Sequence, residues 1–305
     1  MTEIFTDQKR DAEIDKYNPR EHISSIFYTC PLERALYENE KPYFMNIPVH
    51  RMPGLKQTNV NYSRRRVAIT DIRGHEDLFT LDKTGFAVAK FETRLEHSNF
   101  QDPHTIISQY YDEVKQFLRE NTNCCFVLPF DYQVRRKDPS QKSTSRGAPG
   151  RAQPFASIHA DQTERAAMRR LEYFHPEEFA RFQSYRVQIV NVWRPLRGPV
   201  YDAPLAMCDY RTVDDTDRVA TDIIFPDYLG ETYNFWPNPK HRLYFVDGQR
   251  PDEAWMIKCF DSETANDSSV APFAPHVSFP YLGVDKEYHA PRESIEVRTF
   301  VFYKR

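Results

Sequence analysis

From Tyr185 onward the chain is written in short, mostly apolar runs separated by turns rich in Pro, Asp and Asn, and this pattern narrows the fold more than any other feature. Runs at Arg186–Trp193, His241–Val246, Ala254–Phe260, Val277–Phe279 and Ser294–Tyr303 have the length and composition of strands. Earlier strands are expected at Val67–Ile72, Gly85–Phe91 and 124–130. Helices belong mostly to the first half. One follows Asp102 and Pro103, with Ile106, Ile107, Tyr110, Val114, Phe117 and Leu118 on one face. Another runs from Thr163 to about Phe174, and a third begins near Pro176. Helices gathered early and short strands late give a mainly β protein with flanking helices, a double-stranded β-helix (jelly-roll, cupin-like) barrel. Residues 1–62, polar and punctuated by Pro, are expected as an N-terminal extended arm packed on the core, with 63–305 as the jelly-roll domain. The stretch 135–154, without a hydrophobic period, is expected as a loop, either a solvated excursion or a lid.

Charge removes whole classes of partner. A formal net charge of -3 leaves no electrostatic footprint for nucleic acid or an anionic membrane. The basic part of the 135–154 loop lacks the interleaved aromatics of a single-strand binder. No apolar stretch approaches the ~18 residues of a membrane span. The five Cys (30, 124, 125, 208 and 259) form no CxxC pair, and Cys124 and Cys125 are expected as buried thiols on a strand. A reduced, cytoplasmic protein acting on a small molecule is expected, with homo-oligomerisation left open.

Most of the ten His lie in arms, turns or helix ends. His159 differs. In Ser-Ile-His-Ala-Asp-Gln-Thr, His159 and Asp161 stand two apart, so on a strand both project from one face. An imidazole and a carboxylate placed so can share a metal, and a second His completes the two-His-one-carboxylate set that leaves half an octahedron open. The pair alone is a weak signal, equally readable as a strand His beside a helix-capping Asp. His241, His276 and His289 are the downstream candidates for a third ligand. In jelly-roll oxygenases the distal His is followed, at hairpin distance, by a basic residue that anchors a cosubstrate carboxylate. His276 with Arg292 fits that distance best. His289 is too close to Arg292 to reverse direction, and His241 has no such Arg after it.

On the last strand, Arg292, Ser294, Glu296 and Arg298 share one face and Ile295 and Val297 the other. Polar groups beside an apolar face indicate a lined cavity, and an Arg meets a carboxylate through two parallel hydrogen bonds. A solvated face with a surface ion pair is the plainer reading. Gln188, Asn191, Trp193 and Arg194, on another expected barrel strand, are candidates for the substrate pocket.

The runs Asn191-Val-Trp193-Arg194-Pro195, Pro204-Leu205-Ala206-Met-Cys208-Asp209, Phe260-Asp261-Ser262, Pro275-His276 and Pro291-Arg292-Glu293-Ser294-Ile295-Glu296-Val-Arg298 resemble a largely fungal family. Its members are described as gibberellin-desaturase-like or cephem-methoxylase-subunit-like proteins. The stretch from Asp71 to Phe86 is similar to its N-terminal part, so the resemblance covers about residues 40–305. It implies an iron(II)/2-oxoglutarate-dependent dioxygenase of specialised metabolism, using Fe(II), 2-oxoglutarate and O2 to oxidise an unactivated C–H bond by hydroxylation, desaturation or ring closure. The implied metal ligands are His159, Asp161 and His276. The implied cosubstrate anchor is Arg292 with Ser294, and Arg298 is the alternative. Two other readings stand beside it, a metal-dependent cupin-type enzyme without 2-oxoglutarate and a non-catalytic jelly-roll subunit.

Overall fold

Period-two alternation sorts the late strands into an inner and an outer face, and two sheets result. The computed structural model describes residues 20–47, 52, 54–138, 140, 152–281 and 290–305. The smaller sheet has the order β4 (Phe86–Lys90), β12 (Glu253–Asp261), β7 (Arg186–Pro195), β14 (Glu293–Tyr303) and β5 (Phe126–Arg136). Strand β14 lies antiparallel to β7 along its whole length, with Glu296 opposite Trp193 and Arg298 opposite Asn191. The apolar half of the inner face, Ile189 and Trp193 of β7, Trp255 and Ile257 of β12, Phe300 and Phe302 of β14, packs against Leu205, Met207, Tyr244 and Val246 of the larger sheet. Each such side chain removed from water contributes about 1.5–3 kcal/mol.

The outer face of the small sheet, with Val190, Val192, Met256, Ile295 and Val297, is covered by helix α1 (Tyr111–Asn121) through Val114, Phe117 and Leu118. As expected, Asp102 caps the preceding turn, accepting from the backbone N–H of His104 and Thr105. Ile107 leaves the expected stripe and is 54 % exposed. A π-helical turn at Ile106–Tyr110 shifts the rotation of the helix there.

The larger sheet runs β1 (Glu21–Thr29), β3 (Tyr62–Asp71), β11 (Leu243–Phe245), β8 (Leu205–Cys208), β13 (His276–Ser278), β6 (His159–Ala160), β10 (Leu229–Phe235), β9 (Arg218–Ile224), β2 (Tyr43–Met45). Two facing sheets of largely antiparallel strands make the jelly-roll barrel expected from the sequence. The 1–62 stretch, expected as an extended arm, supplies β1, which pairs with β3 from Glu21 opposite Thr70 to Thr29 opposite Tyr62. Its residues 1–19 lie outside the described ones.

Helix α2 (Glu164–Phe174) starts where expected, capped by Thr163, whose Oγ1 accepts from the Ala166 N–H. That hydroxyl donates to Glu231 Oε1 at 2.6 Å, tying the helix start to β10. Ala167 and Leu171 then pack into the core between the sheets. Helix α3 (Pro176–Arg181) follows. Two expectations need correcting. Cys124 and Cys125 precede β5 and are half-buried and exposed, so they are not buried strand thiols. Arg135 and Arg136 belong to β5, which extends past the expected loop start because it pairs with β14 out to Arg136 opposite Glu293. Residues 141–151 of that loop lie outside the described ones.

Candidate active site

Strands of both sheets bring the chemistry together. His159 on β6 pairs directly with His276 on β13, antiparallel, so two imidazoles distant in sequence stand side by side. Their ring centroids are 4.5 Å apart. Asp161 follows β6 by one residue, and its Oδ1 lies 3.4 Å from His159 Nε2 and 3.8 Å from His276 Nε2. Among the described residues, these three offer ligand atoms that all lie within 4.8 Å of one another. Neighbouring donors around an octahedral ion with ~2.1 Å bonds sit roughly 3 Å apart, so a small adjustment suffices.

The backbone selects the tautomers. His159 Nδ1 lies 2.9 Å from the Ser157 carbonyl and His276 Nδ1 lies 3.1 Å from the Ala274 carbonyl. Each Nδ1 therefore carries the proton, and each Nε2 lone pair faces the shared point. Burial, joined by the nearby His159, pushes the His276 pKa down, which keeps that ring neutral. Asp161 is enclosed, which opposes its charge, but Arg298 and the two imidazoles outweigh burial and hold its carboxyl well below the usual range.

The remaining Asp161 oxygen is pinned. Oδ2 accepts from Asn191 Nδ2 at 2.8 Å and from Arg298 Nε at 3.2 Å. Asn191 Nδ2 also donates to Glu296 Oε1 at 2.6 Å. Arg298 reaches Asp131 on β5 at 2.8 Å, so its guanidinium is already held by two carboxylates. Burial opposes its charge, yet Asp161, Glu296 and Asp131 keep its pKa above the ordinary value.

Arg292 is different. Only 3 % exposed, it donates through Nη1 to the Ala203 carbonyl and to Ser278 Oγ, with its guanidinium 5.5 Å from the Trp193 ring. No carboxylate pairs with its side chain among the described residues, and its Nε has no partner. The Ser294 hydroxyl is also buried without a partner. Burial first, then the Arg135 charge, push the Arg292 pKa down to about 9. An enclosed cation with an idle N–H beside an idle hydroxyl fits a carboxylate.

The structure brings His159, Asp161, His276, Arg292, Ser294, Arg298, Asn191 and Trp193 together between the two sheets. Gln188 and Arg194 do not join them, a correction that follows from strand parity. Inner residues of β7 are odd-numbered, and Gln188 and Arg194 fall on the outer face. Gln188 binds Asp261 and Tyr303 beside an outer cleft of about 620 Å3. Arg194 lies over the rings of Phe91, Phe100 and Tyr110. His241, the rival third ligand, is buried between the Tyr28 hydroxyl and Asp217 and contributes nothing here. His289, like His50, lies outside the described residues.

Glu296, on the face expected to line a cavity, is 7 % exposed and accepts from Asn191. One participant escaped the sequence reading. Arg135, whose Nη1 donates to the Gln153 carbonyl at 2.8 Å, belongs to β5 opposite Ser294. The alternation Asp131, Gln133, Arg135 is the signal that would have placed it.

Residues 26–302 match the family described as an oxidoreductase/YMDC permease-like domain. No described helix is long and apolar enough to cross a membrane. The chain is 31% identical over 265 residues to the hydroxylase/desaturase efuI of Hormonema carpetanum, covering 81% of this chain and 86% of that protein. It is 26% identical over 303 residues to the gibberellin cluster GA4 desaturase of Gibberella fujikuroi, covering 79% and 88%. Among solved structures, an iron and alpha-ketoglutarate-dependent endoperoxidase, NvfI, superposes with a TM-score of 0.78 at 26% identity, covering 93% of this chain and 99% of that one.

Proposed function

This chain belongs to the oxidoreductase family matched over residues 26–302, with fungal relatives named as alpha-ketoglutarate-dependent and Fe(II)/2-oxoglutarate-dependent dioxygenases, and from that premise we propose that His159, Asp161 and His276 hold its ferrous ion while Arg292 and Ser294 hold the far carboxylate of 2-oxoglutarate. The observation that carries the assignment is the pairing of His159 with His276 across β6 and β13, with Asp161 Oδ1 between their Nε2 atoms. The protein oxidises an unactivated C–H bond of a small molecule in specialised metabolism, a reading supported by relatives named as a hydroxylase/desaturase, a gibberellin cluster desaturase and an endoperoxidase.

When bound, iron(II) with 2-oxoglutarate and dioxygen supplies the oxidising power. The chain does the positioning. Ser157 and Ala274 carbonyls aim the two imidazoles, and Asn191 with Arg298 turns Asp161 so that Oδ1 faces them. Arg298 keeps Asp161 ionised, the form a metal requires. Arg292 favours the distal anchor role over Arg298, because Arg298 is neutralised by Asp161 and Asp131 while Arg292 has an unused N–H. A 2-oxoglutarate-independent enzyme leaves Arg292 Nε and Ser294 Oγ without purpose.

Anaerobic titration with iron(II) followed by 2-oxoglutarate tests this. One iron per chain and a visible charge-transfer band are expected for the unaltered protein, and neither for His159→Ala or Asp161→Ala. Tight iron binding retained by both variants ends the assignment.

A further inference from the structure

Arg170 on α2 is a half-buried cation surrounded by rings instead of anions. Its guanidinium carbon lies 4.7 Å from the Phe130 ring centroid, 5.2 Å from Phe174 and 5.9 Å from Tyr228. Among the described residues it makes no ion pair, and its Nε is buried without a hydrogen-bond partner. The Tyr228 hydroxyl is likewise buried and unpartnered. Arg169, with its guanidinium carbon 5.5 Å from the same Tyr228 ring, also has a buried Nε without a partner, and each such group costs about 1–3 kcal/mol.

The cage borders the candidate metal site. Phe130 precedes Asp131 on β5, Asp131 binds Arg298, and Arg298 binds Asp161. The charges of Asp131, Arg298 and Asp161 all reach Arg170. Arg292 belongs to the opposite end, because it precedes β14 by one residue and stands six positions before Arg298, roughly 20 Å along the extended chain. One cation is thus set on the cosubstrate side and another on the far side of Asp161. Beside the cage, Tyr173 is 59 % exposed and Phe174 43 %, which places two aromatic rings at the surface next to it.

We propose that Arg170 and the Tyr228 hydroxyl form the substrate-recognition subsite, taking an acidic oxygen group, a carboxylate or an enolate, carried by a flat hydrophobic small molecule. The group accepts from Arg170 Nε and from Tyr228, and the apolar body lies against Phe130 and Phe174. Its place in the reaction rests on the oxygenase reading above, while the preference for an anion rests on the cage alone. The competing role is a packing latch, with Arg170 merely pinning α2 to β5 through its ring contacts.

The two roles separate in a titration of 2-naphthoate against neutral 2-naphthamide by calorimetry, on the apoprotein and on protein loaded anaerobically with iron(II) and saturating 2-oxoglutarate. Saturation with 2-oxoglutarate, and an Arg292→Met apoprotein, keep naphthoate off the other cation. The unaltered protein should prefer naphthoate. Arg170→Met should weaken naphthoate at least about tenfold and leave naphthamide unchanged. Arg170→Lys, which keeps the charge and the fold, should recover part of the preference, and Tyr228→Phe should lose a smaller share than Arg170→Met. The iron(II)–2-oxoglutarate band should persist in Arg170→Met. Equal binding of the two probes by the unaltered protein overturns the proposal. So does an Arg170→Met variant that melts earlier yet keeps the naphthoate preference. Failure of the unaltered protein to bind iron and 2-oxoglutarate would sink the oxygenase reading instead, and the apoprotein titration still reads the cage.

Discussion

Replacing Arg292 by Met keeps much of the side-chain bulk against Trp193 and removes an enclosed guanidinium that no carboxylate pairs with among the described residues. Its Nη1 contacts to the Ala203 carbonyl and Ser278 hydroxyl position the group, and the unpaired Nε and the Ser294 hydroxyl remain for the ligand. Truncating one partner of a buried, hydrogen-bonded charge pair costs about 2–5 kcal/mol. At 1.4 kcal/mol per decade, 2-oxoglutarate should bind roughly 30-fold to several-thousand-fold more weakly. Anaerobic titration of the iron(II)-loaded protein, followed in the visible band, measures it. The control is 2-oxobutanoate, which keeps the chelating end and lacks the distal carboxylate. Its affinity should be nearly the same in Arg292→Met and in the unaltered protein. Arg298→Met should behave differently, weakening iron itself because Asp161 loses its cation. The reasoning is refuted if Arg292→Met binds 2-oxoglutarate within threefold of the unaltered protein while Arg298→Met discriminates between the two acids.

Three further tests follow. Asn191→Ala removes the amide that orients Asp161 Oδ2, and iron affinity should fall about 10–100-fold with little change in melting temperature. Gly85 has φ +86, and a Cβ there would lie 2.6 Å from the Phe273 carbonyl oxygen. Gly85→Ala should therefore cost about 2–4 kcal/mol in urea unfolding, and iron should bind more weakly because Ala274, which orients His276, is displaced; unchanged values of both would refute the link. Glu231 is buried, which opposes its charge, but Lys41, Thr163 and Arg165 pull its pKa down to about 2. Its folded pKa lies below the unfolded value, so its stabilisation is complete above about pH 4.5 and disappears as pH falls toward 2. After allowing for the solvent around Arg165 and Lys41, Glu231→Gln should flatten the acid limb of stability against pH by about 1–2 kcal/mol.

The sequence spoke clearly where local spacing determines geometry. His159 and Asp161, two apart at a strand end, reach the same side, and the 292–298 alternation proved to be an inner face. Choosing His276 needed one added rule, the hairpin distance to a basic residue. Legibility failed where the answer depends on which face turns inward. Gln188 and Arg194 alternate with Asn191 and Trp193 as regularly as any strand requires, and nothing local marks odd as inside. β1 hid because Ser24 and Ser25 break its apolar rhythm. Arg170 was invisible for a similar reason. On an amphipathic helix it reads as a solvated charge, and only the tertiary approach of Phe130 and Tyr228 makes it a caged one.

Each imidazole takes its orientation from a carbonyl two residues back on its own chain segment, and peptide carbonyls do not mutate. A lineage built on this scaffold is therefore free to rewrite cavity walls, exchange aromatic for aliphatic and move charges, without having to rediscover how to point two nitrogens at one place. Divergence of product under a fixed reagent is what such insulation allows.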